Sequence, residues 1–465
     1  MVRVAIAQMP GSRPDEWPRT CALAEELVTQ AAAGGADIVL LPECTWPAYR
    51  LGSRADYFAA RAAGLPSDQW FLSQARTWAR QHRIAVCVGY VAEHTGQLCN
   101  SAALISAAGE LLATYAKCFL WDFDHELFAA GRELCVAPTE WGALGLMICA
   151  DARLPEIPAT LATRGARLIL QPTAWVNVGS DAAPWNPQPE LLIPERAREL
   201  GVPIAAASKW GREGDTSFVG SSLICDATGR VVARCGQRET GIVAADVTPG
   251  TPRRAQMTTE QRRRLLGPEP PRLPPAAVPP LRIVLLDKTP DLHAASSSIQ
   301  QAVAAGAATP TLLIARAGLP GHATAHTPGG ADWLLLTGPT DGVATLGQVR
   351  VAAVRDLDAD GFAPIRALAL EGVHLVVVFG DNVAVRTLRS RAAENRVFVV
   401  QVAATGVAAY DPRGMSAEVA GRLDGRQRVA GCSGELVLDV AKAAEKELAP
   451  RTNPFTDRTP AAYEF

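Results

Sequence analysis

Short apolar segments alternate with amphipathic helical segments through the first half of this chain, and that alternation constrains the fold most strongly. Val2–Gln8 and Asp37–Leu41 have the character of strands, and the helical pattern Asp15–Ala33 between them ends at Gly34-Gly35. The same order recurs to about residue 247. Strands and helices that alternate bury their apolar faces by packing helices onto sheets, so the pattern predicts an α/β fold.

A stretch rich in Pro and Arg interrupts this pattern near the middle of the chain. The 465 residues exceed what a single hydrophobic core normally holds. Between about 249 and 280 the sequence consists mainly of Pro, Arg, Gly and Thr, and Leu281–Asp287 then restarts a strand pattern. We therefore predict a first domain at residues 1–250, a stiff, extended linker at 251–280 and a second domain at 281–465.

Three strands of the first domain run into side chains that enzymes use. Glu43, Lys117 and Cys149 each come at the end of an apolar strand. Ligands gather at the carboxyl ends of strands in open α/β sheets, so we expect the carboxylate, the ammonium and the thiol to share one pocket. Only five of the 45 basic residues are lysines, which indicates that Lys117 is required as a compact ammonium.

A carboxylate, an ammonium and a thiol suffice for acyl transfer through a thioester. A free cysteine thiol is mostly protonated at neutral pH, so Glu43 would act as the general base toward Cys149. Lys117 and the backbone N–H of Ala150 would hold the oxyanion of the tetrahedral intermediate. With water as the second acceptor the trio predicts a hydrolase. Taken singly, Cys149 could be an ordinary buried core cysteine, and Glu43 and Lys117 could be ordinary charges at the ends of their segments.

The second domain reads as a reduced copy of the first. Glu371–Val378 repeats the pattern of Arg164–Leu170, and aligning the two segments places Asp356 opposite Cys149. The strand that ends at residues 315–317 carries no Glu there, and no Lys occurs between positions 288 and 442. We therefore predict a degenerate copy that lacks the trio and is catalytically inactive.

Composition excludes several classes of partner. The net charge of −2 and the pI of about 6.4 favour neither nucleic acid nor an anionic membrane. The first residues form a strand pattern rather than a signal peptide, and no apolar run approaches the roughly 18 residues of a membrane span. Ten cysteines at irregular spacing, without a Cys-x-x-Cys pair or a Cys/His cluster, predict reduced thiols in a cytoplasm and neither metal nor cofactor. A small-molecule substrate is the expected partner.

Together the catalytic segments resemble those of the nitrilase or carbon–nitrogen hydrolase superfamily, which carries a Glu-Lys-Cys triad. The segments are Leu41-Pro-Glu43, Tyr115-Ala-Lys117 and Met147-Ile-Cys-Ala-Asp151, and the similarity is good over residues 2–247 and weak over 281–465. The resemblance implies an αββα sandwich, here a catalytic copy in tandem with a degenerate one. Because family members usually pair two sandwiches, it also implies an intramolecular pseudo-dimer, with further homo-oligomers left open.

The resemblance also implies residues that support the triad. A second carboxylate commonly follows the lysine in the family; its position here is that of Asp124, with the nearby Glu126 as the alternative. Aromatic residues beside the catalytic segments would line a substrate pocket, unless they belong to the ordinary core. With one arginine, these substrate-binding candidates are Trp46, Tyr49, Trp121, Arg153 and Trp175. Arg153 would bind a substrate carboxylate, or else form a salt bridge with Asp151 or Glu156.

The triad alone does not distinguish among carbon–nitrogen bonds. Amides, N-carbamoyl groups and nitriles all pass through covalent cysteine adducts. Asp151, two positions after the cysteine, resembles the amidase branches more than the true nitrilases. We therefore expect an amidase that releases ammonia or an amine. The alternatives are an N-carbamoyl amino acid hydrolase or a nitrilase with the same triad, an acyltransferase, and a catalytically silent scaffold. No His-Glu-x-x-His or Gly-x-Ser-x-Gly stretch supports a metallo- or serine hydrolase.

Overall fold

The polypeptide divides into two compact units. The computed structural model describes residues 1–94, 96–267, 269–286, 310–315, 324–326, 333–336, 339, 342–404, 406–417 and 432–465. The first unit comprises Met1–Ala255, Ala449–Thr452 and Asp457–Phe465, and the second comprises Gln256–Leu448 and Asn453–Thr456. Within these described residues, no helix has the length and apolar character that crossing a membrane would require.

In its described part, the first unit contains fourteen strands and six α-helices. The strands are β1 (Val2–Pro10), β2 (Ile38–Leu40), β3 (Ala85–His94), β4 (Gln97–Ile105), β5 (Leu111–Ala116), β6 (Cys135–Thr139), β7 (Gly142–Leu146), β8 (Leu168–Pro172), β9 (Ile204–Ala207), β10 (Lys209–Glu213), β11 (Thr216–Val219), β12 (Leu223–Cys225), β13 (Val231–Arg234) and β14 (Gly241–Val247). The helices are α1 (Trp17–Ala33), α2 (Arg54–Ala62), α3 (Asp68–His82), α4 (Asp124–Leu127), α5 (Glu156–Thr163) and α6 (Ile193–Leu200).

These strands form two sheets that face each other. The first has the order β11-β10-β1-β2-β3-β4-β5, with β14 antiparallel to β1, and the second has the order β13-β12-β9-β8-β7-β6. Helices α1 and α3 pack on the first sheet and α5 and α6 on the second, while β2 and β3 contact β8 across the interior. The first unit is therefore an α/β sandwich with the predicted αββα layers.

Local sequence explains why the helices begin and end where they do. The apolar residues of α1 recur every three to four positions and face the sheet, and its chain turns away at Gly35, whose φ of 71° suits glycine. The side chain of Ser67 accepts the N–H of Trp70 and so caps the start of α3. Strands β4 and β5 pair antiparallel as a hairpin.

The second unit contains ten strands and four α-helices in its described part. The strands are β15 (Leu281–Leu286), β16 (Thr311–Ala315), β17 (Thr324–His326), β18 (Trp333–Leu336), β19 (Val343–Leu346), β20 (Val349–Arg355), β21 (Leu375–Phe379), β22 (Phe398–Ala403), β23 (Gly406–Tyr410) and β24 (Cys432–Leu438). The helices are α7 (Thr259–Leu266), α8 (Asp356–Asp360), α9 (Phe362–Leu370) and α10 (Val385–Asn395).

These ten strands also form two sheets. Their orders are β17-β18-β16-β15-β24 and β19-β20-β21-β22-β23. In the second of these, β20, β21 and β22 run parallel, and β19 and β23 are antiparallel edges. Buried aliphatic residues of both sheets, such as Ile283, Leu312, Val351 and Val377, share one hydrophobic core. The unit is thus a second sandwich with a core of its own.

Two expectations about the domain limits differ from the structure. The stretch 251–280 was expected to be extended, but α7 lies within it, because Thr258 and Gln261 form a reciprocal capping box and Leu265 is buried. The last residues were expected in the second domain, whereas 449–452 and 457–465 group with the first unit. Residues 316 and 317, where we noted the missing Glu, lie outside the described residues.

Candidate active site

Glu43, Lys117 and Cys149 all lie at the carboxyl ends of strands. Glu43 follows β2, Lys117 follows β5 in the same sheet, and Cys149 follows β7 in the facing sheet. The three residues are 0%, 0% and 5% exposed. The two sheets are linked beside them, because the backbone N–H of Glu43 donates to the carbonyl of Thr173 after β8 at 3.3 Å.

Lys117 is held between two carboxylates. Its Nζ donates to Glu43 Oε1 at 2.7 Å, to Asp124 Oδ2 at 2.7 Å and to the Tyr49 hydroxyl at 3.2 Å. Burial opposes its charge, but the carboxylates of Asp124 and Glu43 outweigh burial and hold the pKa of Lys117 well above its usual range. The side chain is therefore a fixed cation at neutral pH.

One oxygen of Glu43 is engaged and the other is available. Oε1 accepts from Lys117 Nζ and from Asn100 Nδ2, both at 2.7 Å. Oε2 is buried and has no hydrogen-bond partner among the described residues. Burial raises the pKa of Glu43, Lys117 lowers it, and the charge of Asp124 raises it again. A buried carboxylate oxygen without a donor is suited to accept a proton.

Cys149 opens a tight turn at the end of its strand. Residues Cys149–Arg153 form a 3₁₀ turn, and Cys149 itself has a left-handed φ of 42°. The side chain of Gln171 donates to the Cys149 carbonyl at 2.8 Å and fixes this conformation. Burial, assisted by the charge of Glu43, raises the pKa of the Cys149 thiol to about 12, against the opposing influence of Lys117. The resting thiol is therefore protonated and needs a base to react.

Asp151 joins the cysteine turn to the lysine segment. Its carboxylate accepts the Tyr115 hydroxyl at 2.7 Å and the backbone N–H groups of Phe119 and Ile148, both at 2.8 Å. Burial raises the pKa of Asp151 to about 6, although these donors lower it. Its contacts give Asp151 a structural role, and they bring the segments of Lys117 and the cysteine together across the two sheets.

The two candidate carboxylates after the lysine lie in different places. Asp124 begins α4, is fully buried and contacts Lys117. Glu126 lies on the exposed side of the same short helix, where its carboxylate pairs with Arg451 at 2.9 Å. The structure thus brings Asp124, and not Glu126, to Lys117.

A small pocket lies in front of the thiol. Its cavity volume is only about 10 Å³, it opens to solvent, and it is lined by Tyr49, Trp121, Cys149, Arg153, Val176, Asn186 and Gln188. The guanidinium of Arg153 lies 4.8 Å from the centre of the Trp121 ring, a cation–π distance. Three of the five residues predicted to contact substrate therefore surround the nucleophile.

The other two predicted pocket residues lie elsewhere. Trp46 is fully buried and stacks on Phe71 of α3, with ring centres 5.6 Å apart, so it belongs to the core between helix and sheet. Trp175 is fully buried too, and its backbone N–H donates to Ser208 Oγ. Neither lines the pocket. Adjacency in sequence did not predict which face of an irregular segment each ring occupies.

Sequence reasoning missed a buried ion pair that supports the glutamate loop. Lys209 Nζ donates to Glu213 Oε1 at 2.6 Å and to the carbonyl of Cys44 at 2.8 Å. The other oxygen of Glu213 accepts the backbone N–H groups of Tyr49 and Arg50, both at 2.8 Å. The pair therefore clamps both ends of the segment that follows Glu43. The scarcity of lysine was a signal that could have singled out Lys209.

Comparison with known proteins agrees with this geometry. Residues 3–256 match the carbon–nitrogen hydrolase family. A probable nitrilase of Schizosaccharomyces pombe is 29% identical over 214 residues, which cover 45% of this chain and 75% of that protein. Human omega-amidase NIT2 is 31% identical over 259 residues, covering 53% of this chain and 88% of that protein. A solved amidase from Nesterenkonia sp. shares 28% identity and a TM-score of 0.46, over 54% of this chain and 91% of its own.

The family match spans more than half of the chain and includes the buried glutamate, lysine and cysteine. Omega-amidases recur among the relatives. This chain therefore belongs to the carbon–nitrogen hydrolase family and is a hydrolase of carbon–nitrogen bonds other than peptide bonds.

Proposed function

We propose that the chain hydrolyses the amide bond of a small molecule through a thioester on Cys149. The observation that carries this proposal is the free, buried Oε2 of Glu43 beside a protonated thiol and a fixed ammonium, in the part of the chain that the structure describes. Such a set provides a base, a nucleophile and a cation in a site of low dielectric constant, where each acts most strongly.

The reaction follows from these three groups. Glu43 takes the thiol proton as Cys149 Sγ attacks the amide carbon, and Lys117 together with the Ala150 N–H stabilises the oxyanion. The carbon–nitrogen bond then breaks, and Glu43 returns the proton to the departing nitrogen, which leaves as ammonia or an amine. Water attacks the thioester with Glu43 again as the base, and the acid and the thiol are regenerated.

Arg153 indicates the class of substrate. Its side chain is almost fully buried, lines the pocket that holds the thiol and lies against Trp121. An arginine in this position recognises a carboxylate through two parallel hydrogen bonds. A short amide with a carboxylate at its far end fits both groups, and omega-amidases are among the relatives. We therefore place a dicarboxylic acid monoamide first among the substrates.

Mass spectrometry of the intact protein tests the proposal. The protein is mixed with a panel of amides, N-carbamoyl amino acids and nitriles, beside a Cys149→Ala control, and both the acyl adduct and released ammonia are measured. An adduct on the wild-type protein only, with ammonia from an amide, supports an amidase. Ammonia from N-carbamoyl acids or nitriles alone would assign those bonds instead. Neither adduct nor ammonia from any compound would favour a silent scaffold.

A second acceptor would change the class of enzyme. In an acyltransferase an amine replaces water in the second step, because the thioester is the same. Adding an ordinary primary amine to the assay separates the two: an acyltransferase forms the new amide faster than free acid at equal acyl-enzyme, and a hydrolase does not. We expect the free acid to dominate.

The second unit is proposed to be a degenerate copy of the first. Its strands β19-β20-β21-β22-β23 have the same directions as β6-β7-β8-β9-β12, and Asp356 follows β20 as Cys149 follows β7. Asp356 accepts the backbone N–H and the side-chain amide of Asn382, both at 2.9 Å, which is a structural rather than a nucleophilic role. The two units differ in one antiparallel pair of the other sheet: β18 follows its partner β17 in the chain, whereas β3 precedes its partner β4.

We further propose that the two copies act as a dimer-like pair within one chain. We also propose that the protein works in the reducing cytoplasm, which the irregular cysteine spacing favours. Light scattering is expected to give a particle of 49.1 kDa. A monomer whose two halves tumble independently by NMR relaxation would contradict the intramolecular pair.

A further inference from the structure

The C-terminal residues of the first unit lie far outside the part that matches the family. The match ends at residue 256, whereas 449–452 and 457–465 belong to the same compact unit as the catalytic residues. Two groups of contacts tie them to that unit, one at the lysine segment and one behind the cysteine turn. Both groups reach residues adjacent to the site.

The first group lies at the turn that carries Asp124. Thr452 is fully buried, and its Oγ1 accepts the backbone N–H of Asp122 at 2.6 Å. Arg451 pairs with Glu126 at 2.9 Å and with Asp122 at 3.6 Å. These three contacts hold the chain on both sides of Asp124. The arginine is half exposed, so the buried bond of Thr452 is the stronger restraint.

The same turn forms the site. The backbone N–H of Trp121 donates to Asp124 Oδ2 at 2.9 Å, and that oxygen is the one that meets Lys117. The Trp121 ring lines the pocket and supports Arg153. A small displacement of the turn would therefore move a carboxylate away from Lys117 and a wall of the pocket at once.

The second group lies behind the nucleophile. Arg458 Nε pairs with Glu156 Oε1 at 3.1 Å, and their side chains are 4% and 0% exposed. The backbone N–H of Glu464 donates to Thr160 Oγ1 at 2.9 Å. Glu156 and Thr160 both lie on α5, which begins three residues after Arg153. Residues 457–465 therefore fix the helix that continues from the cysteine turn.

We infer that the C-terminal tail, defined as residues 449–452 and 457–465, is a positioning element of the active site. Its residues Thr452 and Arg451 hold the Trp121–Glu126 turn so that Asp124 reaches Lys117. The inference rests on the proposed function of that site and extends it to residues that the family match does not include. A tail that only stabilised the fold would make the same contacts, but its loss would change unfolding and leave the chemistry of the folded protein unchanged.

The reactivity of Cys149 toward iodoacetamide reports the position of Lys117 without a known substrate. Lys117 lowers the pKa of the thiol, so its displacement slows alkylation at a fixed pH. Thr452→Val keeps the shape and removes the acceptor, and Thr452→Ser keeps the acceptor. Thr456→Ala is an exposed threonine control four residues further along the chain. We expect Thr452→Val to slow alkylation and kcat about tenfold, the effect of one lost buried hydrogen bond, and the other two variants to match the wild type.

A charge exchange tests the exposed contact on its own and does not depend on how well Thr452→Val folds. Arg451→Glu should slow alkylation about threefold, and Arg451→Glu with Glu126→Arg should restore it, with the thermal midpoint unchanged in both. Wild-type alkylation in both Thr452→Val and Arg451→Glu would overturn the inference. The inference would also be overturned if alkylation were as slow in Thr452→Ser as in Thr452→Val, and as slow in the double exchange as in Arg451→Glu.

The outcomes also separate this inference from the proposed function. If the wild type hydrolyses no amide but alkylation of Cys149 still depends on Thr452, the proposed function fails and the positioning role stands. If amides are hydrolysed at equal rates by the wild type and by Thr452→Val, the proposed function stands and the positioning role fails.

Discussion

Replacing Asp124 by asparagine tests whether Lys117 needs both of its carboxylates. The two charged atoms are 2.7 Å apart, and both side chains are fully buried. At that distance two unit charges attract by about 6 kcal/mol for an effective dielectric constant of about 20. Because Glu43 stays on Lys117, we expect the free energy of unfolding to fall by about 3 kcal/mol, the lower end of the range for removing one partner of a buried pair.

The same substitution changes the pH dependence of catalysis. The charge of Asp124 raises the pKa of Glu43, so asparagine lowers that pKa. Glu43 must be ionised to take the proton of Cys149, and the acid limb of kcat/KM therefore moves to lower pH. The weaker base and the less restrained Lys117 together reduce kcat by about 10²-fold.

Two measurements check these expectations. Denaturant unfolding gives the free energy, and ammonia release from an amide that the wild type hydrolyses gives kcat/KM across the pH range. Glu133→Gln, an exposed carboxylate a few residues further along, is the matched control and should behave as the wild type. If Asp124→Asn kept both the wild-type acid limb and the wild-type unfolding energy, the role assigned to the second carboxylate would be refuted.

Three further substitutions test contacts of the same site. Lys117→Arg should reduce ammonia release at least about 10²-fold although it keeps the charge, because a planar guanidinium cannot replace a compact ammonium between two carboxylates; an active variant would contradict the oxyanion assignment. Glu213→Gln should lower the unfolding free energy by about 3–5 kcal/mol in denaturant titrations, since it leaves a buried ammonium without its carboxylate. Gly89→Ala should reduce kcat about 10²-fold, because its Cβ would lie 2.4 Å from the carbonyl oxygen of Pro42 and 2.6 Å from Glu43 Cα, and must displace the base; a fully active Gly89→Ala would show that the loop tolerates such a shift.

The predictable parts of the site are those with a local pattern. Glu43, Lys117 and Cys149 each stand where an apolar strand becomes polar, and the strand rule is enough to place them at sheet ends. Tyr49 and Trp46 are only three residues apart, yet one meets Lys117 and the other packs on α3. The segment between them is irregular, so no periodicity assigned a face to either ring.

Longer-range contacts could not be predicted from sequence for a different reason. Glu213 supports a loop more than 160 residues before it, and Thr452 supports a turn 330 residues before it. Neither residue lies in a motif, and the chain pattern predicts strands and helices rather than which distant segments meet. The position of Asp124 in the lysine segment favoured it over Glu126, and the structure brings Asp124 to Lys117.

The charges of Asp124 and Lys117 act on the proton transfer from Cys149 to Glu43 in different directions. Burial raises the pKa of both Cys149 and Glu43, so its effects on the two groups oppose each other when a proton moves from one to the other. What remains is the influence of their neighbours: Lys117 lowers the pKa of the thiol, and Asp124 raises the pKa of the base. Lys117 also lowers the pKa of Glu43, and this opposes the transfer. The charge of Asp124 counters that loss, which explains why a nucleophile that needs only one base is surrounded by two buried carboxylates.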